Sequence, residues 1–435
     1  MVKYKLSKYN FFEKQDDNTV VGINLINKNV FGLESRKYEL LTQHADSLDE
    51  LKDINENLFN ALRKLGIIIN EDIDEMKQLL LEHRKFIYSK NIYRLTIIPT
   101  LDCNFNCWYC YEEHVKGVMS GKKQKAILKH VNQYIAEQNL SFLQLDWFGG
   151  EPLLYFDEVV FPLSKKLKKT CLNHNIHFSN SITTNGSLMD ESMIKKMKLI
   201  DLNSFQITFD GSENLHNKVK NNNDARNEYK ITLNNIFKLC DFLDNPDILV
   251  RINYTAENLE NIKEIIHDIP NDYKKKIRVS FQQVWQTLQS QKNIEISSVE
   301  NEFINSGVFV EKPYLYPMPY KCYADLLGQA VITQDGKVFK CTARDFAKQE
   351  PDGYLQEDGN IEWVMPYYLR LSKTTIENDR CCKCKYLPAC WGPCSQKVIE
   401  TSDKNFDSIC NSRGIEATIR NILSDFYKNK IITIG

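Results

Sequence analysis

The sequence predicts an α/β fold, a partial (β/α)6 barrel of the TIM-like kind, with a small mixed domain before it and a cysteine-rich segment after it. Three observations carry that reading. Strand-like and helix-like stretches alternate from residue 93 to about 285. Residues 1–92 run short strands first and short helices afterwards. Of thirteen cysteines, eight fall between 322 and 410, where periodicity fades and Gly and Pro turns accumulate. A chain of 435 residues is long enough for two or three domains, and 42% apolar residues can fill their cores.

The N-terminal stretch holds YKLSKYNFFEK, TVVGINLIN and NVFGLE, which read as short antiparallel strands. SRKYELLTQ, SLDELKD and NENLFNALRKL follow as three short helices, with Ser47 and Glu50 at capping-box spacing and Gly66 at a C-terminal stop. Three strands and three helices in a module of this size resemble a winged helix. A polar helix over roughly 72–88 links it to the barrel.

The barrel strands are YRLTIIPT (93–100), SFLQLDWF (141–148), IHFSNSIT (176–183), LNSFQITF (202–209), DILVRINYT (247–255) and KIRVSFQQVW (276–285). Amphipathic stretches separate them: in KKQKAILKHVNQYIAEQ, Ile127, Val131 and Ile135 repeat at four. DESMIKKMKLI and NEYKITLNNIFKLCDFL are of the same kind. Alternation at this spacing predicts right-handed parallel βαβ units with working loops at the carboxyl ends of the strands. The expected domains are 1–92, 93–310 and 311–435. The last hundred-odd residues look short of a core of their own and are expected to be held together by metal.

Lys+Arg (56) and Asp+Glu (57) nearly cancel, which argues against nucleic acid as the main partner. No run approaches a membrane span, and the opening MVKYKLSKYNFF lacks a signal-peptide core, so a cytoplasmic protein is expected. In that compartment the cysteines are metal ligands rather than disulfides. Cys171 and Cys240 stand apart, on apolar helical faces with Leu163 and Leu167 and with Leu233, Ile236 and Phe237, and read as packing thiols.

CNFNCWYC follows the first barrel strand directly and so lies on the working face. Cys103, Cys107 and Cys110 are three ligands where closed zinc and iron–sulfur sites take four. A zinc knuckle with His114 as fourth ligand is one reading; a four-iron cluster with one open iron is the other. The C-x3-C-x2-C spacing, with Tyr109 before the third cysteine, resembles the signature of the radical S-adenosylmethionine (radical SAM) superfamily. The resemblance implies a cluster on these cysteines, adenine packed against the loop, and a 5′-deoxyadenosyl radical made by one-electron cleavage of S-adenosylmethionine. WFGGEPLL resembles the family's GGE-type motif, which implies that Gly149, Gly150 and Glu151 contact the methionine amine. SITTNGSLM resembles the segment meeting ribose and carboxylate, with Thr183 and Asn185 as its candidates. QITFDGSENLHN resembles the DG…HD run of peptide- and sulfatase-modifying members, implying that Thr208 offers a hydroxyl to the methionine carboxylate and that Asp210 and Gly211 line the mouth. Asn217 stands where an acid is usual and Lys220 where Arg is usual, so no carboxylate-binding Arg is carried over.

The C-terminal spacing resembles the SPASM domain, an extension of radical SAM enzymes that holds two auxiliary [4Fe–4S] clusters. By that pattern one cluster uses Cys381, Cys384, Cys390 and Cys410, and the other uses Cys322, Cys341 and Cys394. Tyr316 occupies the place of a fourth cysteine, and Cys382 is expected to be a spare thiol because adjacent residues point apart. Sulfatase-maturing members place a base Asp directly after the cysteine matching Cys341. Here CTARD puts Thr342 there and Asp345, the candidate catalytic base, three residues on.

The N-terminal module resembles the RiPP recognition element, which binds the leader of a precursor peptide as an added strand. The matching regions are Asn29 to Glu34 and Asn57 to Leu65, with Phe31, Leu58 and Leu62 as expected surface pockets. The resemblance implies a peptide maturase with three [4Fe–4S] clusters, S-adenosylmethionine, a ribosomal precursor peptide, and an electron donor such as flavodoxin or ferredoxin, with no nucleic acid and no membrane as partners. The alternatives are sulfatase-maturase-like oxidation of a protein Ser or Cys, action on a small metabolite, and a non-catalytic iron–sulfur electron carrier or peptide-binding protein.

Overall fold

The computed structural model describes residues 3–220, 226–285, 294–311, 315, 318–372, 375–401 and 406–428. The chain divides into two compact units rather than the three domains expected. The first comprises Met1–Tyr88, Pro313–Leu326 and Leu369–Gly435; the second comprises Ser89–Lys312 and Leu327–Tyr368.

The first unit holds β1 (Tyr4–Leu6), β2 (Asn10–Lys14), β3 (Thr19–Asn24), β4 (Asn29–Glu34) and β5 (Ile68–Asn70). An antiparallel sheet runs in the order β2-β3-β4, and β5 returns to pair with β1. The single strand expected over YKLSKYNFFEK is therefore two, broken around Ser7, whose hydroxyl donates to the Glu75 carboxylate. Helices Ser35–Gln43, Leu48–Ile54 and Glu56–Lys64 follow as expected. The Asn55 side chain caps the third by accepting from Leu58 N–H at 3.0 Å. Ser47 makes no such backbone bond; its hydroxyl donates to the Glu50 carboxylate instead.

Alternation along β3 and β4 gives this sheet two buried faces. Phe31 and Leu33 join Leu51, Leu58, Phe59 and Leu62 under the three helices. This corrects the expectation of surface pockets: Phe31, Leu58 and Leu62 are all buried, because the short helix Glu56–Lys64 has one apolar stripe and the module's own core uses it. Phe11, Val21 and Ile23 pack in a second cluster with Trp391 and with Ile415, Ile419 and Leu423, which repeat at four along the helix Ser412–Lys428. The cysteine-rich segment thus has an apolar core, shared with the first module.

The second unit is one sheet. The barrel strands are β6 (Ile92–Ile97), β7 (Phe142–Trp147), β8 (His177–Thr184), β9 (Leu202–Phe209), β10 (Asp247–Tyr254) and β11 (Ile277–Gln283), all parallel and in chain order. β12 (Phe309–Val310) adds beyond β11. On the other side β13 (Gln329–Ile332) pairs parallel with β6, and β14 (Lys337–Phe339), β15 (Gly353–Leu355) and β16 (Ile361–Trp363) continue antiparallel. Residues 327–368, expected in the C-terminal domain, thus extend the barrel sheet.

Each barrel strand alternates. Leu143, Leu145 and Trp147 on β7, and Phe205, Ile207 and Phe209 on β9, pack in the main core with helix residues such as Ile127, Val131, Leu163, Leu167 and Ile236. The intervening residues, among them Gln206 and Thr208, fall on the opposite face. Cys171 and Cys240 are buried in this core, as expected of packing thiols. Among the described residues no helix is long and apolar enough to cross a membrane.

Candidate functional site

The loop after β6 is held by short-range hydrogen bonds of its own backbone and side chains. Thr100 Oγ1 accepts from Asp102 N–H at 2.9 Å, the Asp102 carboxylate accepts from Cys103 N–H at 2.9 Å, and Cys107 C=O accepts from Cys110 N–H at 3.0 Å. The loop after β7 lies directly against it. Gly150 N–H donates to Thr100 C=O at 3.2 Å and Glu151 N–H to Asp102 C=O at 2.8 Å. A Cβ on Gly150 would sit 2.2 Å from the Asp102 carbonyl oxygen, so only glycine permits this approach. Gly149, at φ +113°, would press on Ile98 and on the Thr100 carbonyl. The paired glycines therefore serve loop-to-loop packing, in addition to lining the cavity beside them.

Glu151 stands differently from the sequence expectation. It is fully buried, and its carboxylate accepts from Leu153 N–H at 2.9 Å, Thr184 Oγ1 at 2.8 Å and Asn185 N–H at 2.8 Å. It ties the ends of β7 and β8 together and does not line the cavity.

That cavity, of ≈ 180 Å3, opens at the carboxyl ends of the strands. Cys103, Cys107, Cys110, Tyr109, Gly149, Gly150, Thr183, Asn185 and Thr208 all line it, so nine sequence-derived candidates come together. Burial pushes the Cys103 thiol up to about 12, with the Glu151 carboxylate adding to the effect, and Cys110 up to about 11. Cys107 is raised by burial too. His114 Nε2 is 3.4 Å from Cys110 Sγ, a side-chain contact rather than convergence on one ion. Among the described residues no three His, Cys, Asp or Glu side chains are placed to hold a single metal ion. Three soft donors facing one cavity, whose wall also carries Thr183, Asn185 and Gln206, suit an iron–sulfur cluster with an open position.

Asp210 also departs from expectation. It lies behind Tyr109, on a neighbouring cavity of ≈ 260 Å3. Tyr109 Oη donates to its Oδ1 at 2.6 Å, and Lys220 Nζ lies 3.0 Å from its Oδ2, both members of that ion pair being 2% exposed. Burial alone would raise Asp210, but the Lys220 ammonium and the Tyr109 hydroxyl hold it below the usual carboxylate range. Burial would likewise lower Lys220, yet Asp210 and the nearby Cys107 thiol hold it above the usual lysine range. His216 is pushed down to about 3 by burial and by Lys220, so its 3.9 Å approach to Asp210 is a neutral contact at pH 7. Asp345 does not line the cavity. Its carboxylate accepts from Glu113 N–H and Ala347 N–H, and Lys348 lies 3.4 Å away.

Several wall residues were not singled out in the sequence: Glu112, Gln206, Arg251, Asn253, Gln283 and Trp285; Lys220 was noted only as a departure. Polar residues at every second place on otherwise apolar strands, Gln206 with Thr208 and Arg251 with Asn253, are the signal that marks the lumen. Burial, with the Asp345 carboxylate second, pushes Glu112 up to about 8.

Within the first unit, Cys381, Cys384, Cys390 and Cys410 line one cavity of ≈ 90 Å3. Asn378 caps the helix Asp379–Lys383 by accepting from Cys381 N–H at 2.9 Å, and left-handed residues Trp391 and Gly392 turn the chain after Cys390. Burial and the three neighbouring thiols push Cys381 up to about 11. Cys382 points away, its Sγ 3.5 Å from Ile376 C=O. Changing Cys384 and Cys410 together to Ala is expected to lower bound iron by about four per chain. Changing Cys382 to Ala is expected to leave the iron count unaltered; a drop there would make Cys382 a ligand. Cys322 and Cys394 belong to the first unit and Cys341 to the second. Tyr316 lies outside the described residues.

Residues 97–269 match the model of the Radical SAM superfamily. With the parallel barrel and the three thiols at its mouth, this match marks a radical SAM domain within an enzyme, and that domain implies S-adenosylmethionine and one [4Fe–4S] cluster. The Cysteine-type anaerobic sulfatase-maturating enzyme of Clostridium perfringens is 23% identical over 71% of this chain and 91% of its own length. An uncharacterized protein of Synechocystis is 26% identical over 40% of this chain, a match spanning only 44% of that relative. Among solved structures, native anSMEcpe with bound AdoMet and Cp18Cys peptide is similar over 78% of this chain and 99% of its own, at 18% identity and TM-score 0.55. Streptococcus suis SuiB bound to precursor peptide SuiA is similar over 94% of this chain and 100% of its own, at 17% identity and TM-score 0.50. Likeness at that identity speaks for the fold.

Proposed function

We propose that this protein modifies a ribosomally made precursor peptide, joining two residues of the core peptide through a C–S, C–O or C–C bond. The observation that carries the reading is the convergence of Cys103, Cys107 and Cys110 on the wall of one cavity at the barrel mouth. Two similar structures, SuiB with SuiA and anSMEcpe with Cp18Cys, hold peptides, which supports a peptide as the substrate here. Among the described residues β4 is an outer strand of its sheet, the position at which a leader would add as a strand, although the leader's apolar contacts must lie elsewhere than Phe31, Leu58 and Leu62.

Cys103, Cys107 and Cys110 would hold the cluster, and Thr183, Asn185, Gln206, Thr208 and Asn253 offer hydrogen bonds to a polar cosubstrate. When bound, the cluster and S-adenosylmethionine supply a radical able to abstract hydrogen from unactivated carbon. The chain orients the reactants and excludes water. Lys220 and Asp210 fix the Tyr109 ring, Glu151 fixes the loops after β7 and β8, and Tyr111 and Trp285 line the same cavity. Cys381, Cys384, Cys390 and Cys410 would hold one of the two auxiliary clusters that the resemblance implies, and a flavodoxin or ferredoxin would deliver the electron.

A second reading, oxidation of a Ser or Cys in a protein, is favoured by the sulfatase-maturating relative and disfavoured by Thr342 in the place of the base.

Iron, sulfide and 5′-deoxyadenosine release measured on protein reconstituted without oxygen test the proposal. About twelve irons are expected, falling by about four, with loss of deoxyadenosine, when Cys103, Cys107 and Cys110 all become Ala. Stoichiometric zinc and no deoxyadenosine would sink it.

A further inference from the structure

Arg251 lies on β10 and lines the cavity with Asn253 of the same strand and with Gln206 and Thr208 of β9. It pairs in register with Thr208, so the two side chains stand side by side on one face of the sheet. Its guanidinium is held from one end. Nε donates to Asn253 Oδ1 at 3.3 Å, and Asn253 Nδ2 donates in turn to Asp210 Oδ1 at 3.3 Å. Asp210 is itself fixed by Lys220 and Tyr109. A carboxylate on one side of the amide and a guanidinium on the other leave Asn253 a single orientation.

With Nε taken, the two terminal nitrogens remain as a pair of parallel donors. Among the described residues no hydrogen bond or ion pair occupies them, and Glu112, the one acid among the lining residues, makes none with Arg251. Lys220, on the same wall, is neutralised by Asp210, whereas a guanidinium keeps its charge at any pH a protein meets. Parallel guanidinium donors match the two oxygens of a carboxylate, a fit more selective than a point charge offers. Three strands separate β10 from β6, whose loop carries the thiols, so the fork serves a group on another side of the cavity from the cysteines.

We propose that Arg251, set by Asn253 and flanked by the Thr208 hydroxyl, is a subsite for a carboxylate of the substrate, either an acidic side chain or a free chain terminus. It selects which stretch of peptide is presented at the barrel mouth. The proposal rests on the peptide reading above and names the charge that the peptide must carry.

The test is calorimetric titration of the full-length reconstituted protein with S-adenosylmethionine bound. The probes are sodium butyrate, the capped peptide acetyl-Gly-Gly-Glu-Gly-Gly-amide, its glutamine counterpart, and the glutamine peptide with a free carboxyl terminus. The glutamate peptide is expected to bind about tenfold tighter than the capped glutamine peptide, a gain that Arg251→Gln reduces to about twofold or less. Arg251→Lys keeps the charge and loses the fork, and is expected to retain a gain of about threefold. A matching gain for the free-terminus peptide alone would assign the site to a chain terminus. Equal binding of all three peptides by the wild type would overturn the subsite while leaving the peptide reading intact, and this comparison requires no variant to fold. Arg251-dependent binding of butyrate with no binding of any peptide would sustain the subsite and sink the peptide reading. A loss of about tenfold in S-adenosylmethionine affinity in Arg251→Gln would overturn the proposal, because the carboxylate would then be the cosubstrate's own. No binding of any probe would overturn it as well.

Discussion

Gly150→Ala is expected to abolish 5′-deoxyadenosine release and to lose the iron held at the barrel mouth, while most of the fold survives. The new methyl group would lie 2.2 Å from the Asp102 carbonyl oxygen and 2.5 Å from that of Leu101. Both are backbone atoms of the segment that leads into Cys103, and neither can rotate away as a side chain would. Overpacking of this kind costs about 1–3 kcal/mol, and the strain falls on the loop that must present three thiols together. Gly121→Ala is the control. Nothing lies within 4 Å of its added Cβ, at the start of the helix Gly121–Glu137, and the change is expected to be neutral or to stabilise by about 0.4–1 kcal/mol. Iron analysis and thermal melting of the two variants side by side separate loop distortion from general instability. Full iron in Gly150→Ala would show that the two loops part without harm.

Lys220→Met is expected to destabilise the protein by about 3–5 kcal/mol, since it leaves the buried Asp210 carboxylate without its cation. Asp210→Asn in the same chain should recover much of that loss, and the double-mutant cycle measures the coupling. The pH dependence has a definite sign. Asp210 is held below the usual carboxylate value, so its contribution is fully present above that value, near 4, and drains away as pH falls through the lower folded value. Lys220 is held above the usual lysine value, so its contribution is complete below about 10.5 and is lost as pH rises through the higher folded value. The wild type should therefore lose stability in acid more steeply than Asp210→Asn. Parallel acid limbs for the two proteins would remove the ion pair from the account. Tyr109 loses its acceptor in Asp210→Ala, and this ties the pair to the cysteine loop as well as to stability.

The barrel was legible because each strand alternates apolar and polar residues: LNSFQITF was read as residues 202–209 and forms β9 over the same residues. The cysteine loops were legible because their ligands are close in sequence. What escaped was long-range. β5 closes on β1 across more than sixty residues, and β13 returns to the edge of β6, pairings that no local pattern announces. Apolar residues alone do not say which surface they meet. Phe31, Leu58 and Leu62 look the same whether they face a peptide or their own module's core. Glu151 and Asp210 were identified as site residues from their motifs, but a motif cannot tell a group that touches a ligand from one that braces the loop beside it. Glu112 was overlooked in an acidic pair, Glu112–Glu113, where a solvated face is the ordinary expectation.

The core that β3 shares with the helix Ser412–Lys428 also sets a timetable. On a ribosome, β2 and β3 emerge long before the helix that will cover Val21 and Ile23, a delay on the order of tens of seconds at ordinary elongation rates. During that interval one face of the N-terminal sheet is bare and open to chaperones. A nonsense mutation that removes only the last helix would leave the barrel and all thirteen cysteines encoded, yet the product should be cleared by quality control, through the exposed face of its earliest-made strands.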